Sequence, residues 1–134
     1  MKRFNNIEYN KVKKTLDVGA GVTWGDVYEY FERFSDHTPG VVGGDPVVGV
    51  SGWLLGGGYS TLTNLFGLGI DNVVGFRVLV PAKGICDVSR ENNPEIFKAL
   101  KVRSPYNTYY NRVLIFDCLG REARITLGLS PSLP

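Results

Sequence analysis

At 134 residues and a net charge of +2, with 43% hydrophobic and 12% aromatic side chains, the chain has the composition of one modest globular domain, which excludes a disordered or fibrous protein. No apolar run approaches the about 18 residues that a membrane-spanning helix needs, and the basic start KRFNNIEYNKVKKT has no apolar signal core, so neither a membrane partner nor a targeting segment is expected. Residues 1–100 carry 10 basic and 11 acidic side chains and residues 101–134 carry 5 and 2, so the basic excess lies in the tail. There Tyr106, Tyr109, Tyr110 and Arg112 make only a thin version of the basic, aromatic face that nucleic acid requires, and no nucleic-acid partner is expected.

In chain order, the first apolar stretch is Leu16 to Val18, which stops at Gly19 and reads as a short strand and turn. Thr23 followed three residues later by Asp26 has the spacing of a helix N-terminal cap. Val27, Tyr30, Phe31 and Phe34 then recur at helical intervals, predicting an amphipathic helix with one buried face. The only histidine, His37, follows in Ser35-Asp36-His37-Thr38 and reads as a surface loop residue.

From Gly40 to Gly58 the sequence GVVGGDPVVGVSGWLLGGG holds eight of the 17 glycines, followed by Tyr59 and Ser60. A segment so short of side chains lets backbone approach a ligand closely, most often one that bears phosphate. Two familiar motifs fail here. No glycine of the cluster is followed by Lys and then Ser or Thr, as a nucleoside-triphosphate loop requires. In Gly19-Ala20-Gly21-Val22-Thr23-Trp24, the nearest match to G-x-G-x-x-G, Trp24 stands where the last glycine must sit.

Val73 to Pro81 reads as a strand ended by proline and the turn Ala82-Lys83-Gly84, with Ile85 to Val88 as its hairpin partner. In Asn93-Pro94-Glu95 a capping residue precedes proline at the first helical position, opening a helix through Leu100. Strands and short helices therefore alternate, an α+β pattern. Cys86 and Cys118 are too few and too far apart for a disulfide framework or a zinc site, and read as free thiols; no metal is expected.

The order of these parts, VGAGVTWGDVYEYF, VVGVSGWLLGGGYS, FGLGIDNVVGFRVLVPAKG and ENNPEIFKALK, resembles the FAD-linked oxidases of the vanillyl-alcohol oxidase and p-cresol methylhydroxylase type, and within them the berberine bridge enzyme-like branch. In that family the pattern runs roughly V-G-A-G-x-x-W-G-x-V, P-x-V-G-x-G-G-x-x-x-G-G-G, G-L-x-x-D-N-V and N-P-x-L-F-x-A-L. The match extends from Leu16 to Lys101. The resemblance implies a partial FAD-binding domain over residues 1–101, with a small sheet flanked by the helices near Asp26 to Phe34 and Pro94 to Leu100. The glycine segment is then expected to be irregular and close to a cleft.

FAD is the cofactor the resemblance implies. Val48, Gly49, Val50, Ser51 and Gly52 match the family loop along the ribityl chain and pyrophosphate, with Ser51 in place of a common glycine. Gly56, Gly57, Gly58 and Tyr59 match the second half of that motif, and Asp71 and Asn72 its sequel. Each group has a structural alternative: tight strand-helix packing for the triple glycine, and bracing of their own turn for Asp71 and Asn72. Trp53 stands where several relatives have histidine, and its indole can donate a hydrogen bond but cannot accept a proton. Asp45 stands where relatives with a cysteinyl flavin carry cysteine, so the resemblance excludes that link; His37 does not match the flavin-bonding histidine, and no R-S-G-G-H-like loop precedes Leu16.

The implied activity is oxidation of a small organic substrate, an alcohol, amine or activated C–H carbon, with hydride transfer to flavin and reoxidation by oxygen. No catalytic base can be named, because in the family it comes from a further domain. After Lys101 the text KVRSPYNTYYNRVLIFDCLGREARITLGLSPSLP departs from the family's glycine-rich continuation. It is expected to be a divergent, weakly packed tail arising from a frameshift, a retained intron or a mispredicted gene end. Alone, the chain is expected to bind FAD weakly and to be inactive. The alternatives are a non-catalytic remnant and a binding module in which the glycines serve packing only.

Overall fold

The computed structural model describes residues 4–33, 43–80, 84–101 and 124–129. Phe34, His37, Ala82, Lys83, Cys118, the tail's tyrosines and Arg112 lie outside the described residues. Five antiparallel strands form one sheet: β1 (Ile7–Asn10), β2 (Thr15–Gly19), β3 (Val73–Val80), β4 (Gly84–Ser89) and β5 (Arg124–Gly128), in spatial order β1-β2-β5-β3-β4. Helices α1 (Trp24–Glu32), α2 (Val50–Leu55), α3 (Thr63–Phe66) and α4 (Pro94–Lys101) accompany it, with a 3-10 turn over Gly69–Asn72.

Strand alternation divides the sheet into an apolar and a polar face. Leu16 and Val18 of β2, Ile125 and Leu127 of β5, Phe76 and Val78 of β3 and Val88 of β4 join Trp24, Val27 and Phe31 of α1, Val50 and Leu54 of α2 and Phe97 and Leu100 of α4 in a single buried core. Ring contacts fix the helices on it: Phe31 meets Tyr9 edge-on at 5.7 Å, and Phe97 lies 5.8 Å from Phe76. The other face carries Glu8, Asp17, Thr126, Gly75 and Ser89 in one cross-strand row, and Arg124, Arg77 and Asp87 in the next.

The β3–β4 hairpin forms where the sequence places it, and so do α4 and the capped start of α1. Thr23 Oγ1 accepts from Asp26 N, and the Asp26 carboxylate accepts from Thr23 N at 2.8 Å, a reciprocal cap that holds its carboxyl below the ordinary carboxylate range. Asn93, expected as the cap of α4, accepts from Phe97 N through its carbonyl at 3.0 Å, takes φ +53 and donates its side-chain amide to Asp87 O at 3.1 Å, tying the helix entry back to β4. The sequence reading contains no β1, whose turn into β2 is organised by Asn10 Oδ1 accepting from Val12 N and Lys13 N.

The larger correction concerns the tail. Residues after Lys101 are expected to pack weakly, yet Arg124–Gly128 is the central strand, pairing with β2 on one side and β3 on the other. Its R-I-T-L-G alternation sends Ile125 and Leu127 into the core and Arg124 and Thr126 to the polar face.

Candidate functional site

The glycine segment is not wholly irregular as expected: six of its residues form α2. Gly49 is its N-cap with φ −68 and no side-chain cap bond, and Gly56 its C-cap with φ −78. Glycine is a poor helix former, but Val50 and Leu54 are four residues apart and fully buried, and their packing outweighs Gly52's propensity.

The start of α2 is stitched to the turn that leads from β2 into α1. Trp24 N donates to Val48 O at 3.0 Å, Val50 N to Val22 O at 2.9 Å and Gly25 N to Pro46 O at 2.9 Å, and Thr23 and Gly49 form a bridge between the two N-caps. Ser51 Oγ adds a bond to Ala20 O at 2.9 Å. Asp45 organises the approach, its carboxylate accepting from Val47 N and its carbonyl from Val48 N. Tyr28 donates to Gly44 O at 2.6 Å, and its phenol is pushed up by burial and then by the Asp45 charge.

Three roles separate among the glycines. Trp53 lies edge-on to Trp24 at 5.1 Å, in a recess that a Cβ at Gly44, Gly58 or Gly69 would fill; at Gly58 that carbon would stand 2.6 Å from the indole. Gly57 and Gly58 also need left-handed backbone, at φ 107 and 74, and their carbonyls accept from Ile70 N and Gly69 N. At Gly57 and Gly58, therefore, the backbone, and at Gly58 the Trp53 ring as well, call for glycine from inside the chain. Gly49, Gly52 and Gly56 differ: all three are exposed, with ordinary negative φ at the two caps and a helical backbone at Gly52. A Cβ at Gly49 or Gly52 meets nothing within 4 Å, and at Gly56 only ordinary contacts at 3.5 Å. Their spacing of three and four places them on one side of α2, opposite Val50 and Leu54.

Nothing inside the described chain requires glycine at these three positions, and Gly52, in the helix interior, costs helix stability, so the bare surface leaves room for a group that approaches this backbone closely. The N–H groups of Ser51 and Gly52 find no acceptor among the described residues. Tyr59, 73% exposed, follows the stripe. A bare helical surface with open amide donors fits an extended, phosphate-bearing cofactor such as FAD.

Other candidate residues fall elsewhere. Val50 is a core residue whose N–H is already used by Val22, and Val48 is half-buried. Asp71 and Asn72 brace their own turn, as the structural alternative holds. Asp71 Oδ2 accepts from Leu68 N at 3.0 Å, and Asn72 Nδ2 donates to Phe66 O and Leu68 O at 3.1 and 3.0 Å.

Among the described residues no group of three or more His, Cys, Asp or Glu could hold a metal, and the half-buried Cys86 donates its thiol to Gly84 O at 3.6 Å. Two concavities have other linings. One, of about 250 Å³, lies on the polar sheet face between Asp17, Arg124 and the Arg77–Asp87 ion pair; the other, of about 360 Å³, lies beside α1 between Asn5, Asp26 and Arg33. Neither is the cleft expected beside the glycine segment.

An α+β layer with a bare glycine surface on one helix is consistent with a cofactor-binding domain. A family model described as an FAD binding domain matches residues 1–89. The chain is 39% identical over 101 residues to the FAD-dependent monooxygenase yanF of Aspergillus niger, covering 75% of this chain and 17% of that protein. It is 38% identical over 102 residues to the FAD-dependent monooxygenase tpcD of Cochliobolus heterostrophus, covering 75% and 19%. Among solved structures it is similar to the wild-type BBE-like 1 protein of Physcomitrella patens, with a TM-score of 0.77 at 23% identity over 98% of this chain and 26% of that one. The chain belongs to the FAD-binding domain family of the FAD-linked oxidoreductases, with the p-cresol methylhydroxylase-type fold, and its cofactor is FAD. It spans about a fifth of the length of these curated relatives.

Proposed function

We propose that this chain supplies one wall of the FAD site of an oxidoreductase that oxidises a small organic substrate, an alcohol, amine or activated C–H carbon, by hydride transfer to flavin with reoxidation by oxygen. The observation that carries the binding half of this reading is the exposed stripe Gly49, Gly52 and Gly56, where neither backbone conformation nor internal packing calls for glycine. Gly49 and Gly52 would let the cofactor lie against bare backbone, Ser51 and Gly52 N–H would donate to it, and Tyr59 would border it. The bound flavin supplies the redox chemistry; these residues bind and orient it.

Titration of the chain with FAD, followed by flavin fluorescence, tests the binding half. Saturable quenching that ADP relieves is expected, with riboflavin binding more weakly because it lacks the pyrophosphate. Absence of saturation, or equal affinity for riboflavin, contradicts this reading and leaves the glycine stripe without a ligand. The redox half is tested in a longer polypeptide that contains this chain: anaerobic substrate should bleach the flavin, and oxygen should restore its colour.

A further inference from the structure

We propose that Ser51 is a positioning residue for this cofactor wall: its hydroxyl latches the first turn of α2 onto the β2–α1 turn. The inference rests on the FAD reading above but can fail separately from it. Ala20 lies just beyond the end of β2, outside the strand ladder, and is only 6% exposed, so its carbonyl needs a donor from elsewhere. Ser51 Oγ supplies one at 2.9 Å across a sequence separation of 31 residues, in a part-buried setting. The neighbouring ties, Trp24 N to Val48 O and Val50 N to Val22 O, are made by backbone and reach no further into α2 than its first residue. Ser51 is the single hydroxyl in the helix VSGWLL, and it extends the stitching into the turn that carries Gly52.

Because its proton is given to Ala20 O, the Ser51 side chain does not donate to a ligand. It acts through the amides of Ser51 and Gly52 and the bare surface at Gly49 and Gly52, whose placement it fixes. Glycine, common at this position in the family the sequence resembles, cannot make the bond. Here the serine adds a constraint that the glycine loop lacks.

The test compares Ser51→Ala and Ser51→Thr with the parent chain by amide hydrogen exchange, and measures FAD affinity in parallel. Ser51→Ala is expected to raise exchange at the Val50 and Trp53 amides about tenfold and to weaken FAD binding about tenfold, the scale of one lost hydrogen bond to a buried carbonyl. Alanine is the better helix former, so loosening at these amides reports the lost latch rather than helix propensity. Ser51→Thr, which keeps the hydroxyl, should restore both values. Val88→Ala, a core change in β4, should lower Tm without altering either.

Unchanged exchange at Val50 and Trp53 in Ser51→Ala, or the same change in Val88→Ala, overturns the latch. Raised exchange with unaltered FAD affinity overturns its cofactor role. If the parent chain does not bind FAD at all, the reading of function fails while exchange still decides whether the latch exists. Should Ser51→Ala not fold, Ser51→Cys, close in size but with a weak donor, is measured in its place with the same outcomes.

Discussion

Two neighbouring glycines of one motif, Gly57 and Gly58, are required by the chain's own backbone. At Gly58 the requirement is internal: an added methyl meets both positive φ and the Trp53 ring. Gly58→Ala should therefore cost about 2–4 kcal/mol in urea unfolding, strain and overpacking combined. Gly57, buried at φ 107, shares that backbone constraint. Gly57→Val would disturb the fold as well as any cofactor contact and cannot tell the two apart. At the start of α1, Thr23→Ala should cost about 1 kcal/mol by removing the cap. Asp26, whose folded pKa is depressed chiefly by the backbone N–H of Thr23, contributes stability that is present above the ordinary carboxylate range and lost as pH falls through the folded pKa. Asp26→Asn, which removes the titrating carboxylate, should accordingly flatten the acid limb of the stability profile, which chemical unfolding between pH 2 and 6 would show, about two units either side of the ordinary carboxylate value.

At the scale of elements, the weight falls on β5. Ile125 is buried in the centre of the sheet, between Val18 and Phe76, so Ile125→Ala should cost about 2–5 kcal/mol. An unchanged urea midpoint would mean that this strand does not pair in solution. On the polar face, Asp17 Oδ1 is buried without a partner among the described residues and lies opposite Thr126. Asp17→Thr should raise Tm by removing an unpaired carboxylate oxygen and making a Thr–Thr cross-strand pair. What was legible in the sequence was local. The Thr23/Asp26 cap, the hairpin around Gly84 and the proline at the start of α4 each carry their signal within a few residues. β1 and β5 were not legible: each is a short alternating segment whose meaning depends on partners far along the chain, and β5 follows text that departs from the family. α2 was hidden by its glycines, because helix propensity argues against what Val50 and Leu54 achieve by packing.

For the whole molecule, the family relationship covers residues 1–89, whereas the sheet is completed only by Arg124–Gly128. Sequence resemblance therefore ends before the fold does. Without β5 the sheet falls into two hairpins, β1–β2 and β3–β4, with the core between them opened. Under the proposed function one side of α2 is bare to receive a cofactor, whereas Gly58 is bare because the Trp53 ring lies against it. FAD titration of Gly52→Leu, beside its urea unfolding, tests this most directly. The leucine points into open space and replaces a helix-interior glycine, so the variant should be as stable as the parent or more stable by up to about 1 kcal/mol, and should lose FAD binding. A Gly52→Leu chain that folds and binds FAD with the parent's affinity would contradict the claim.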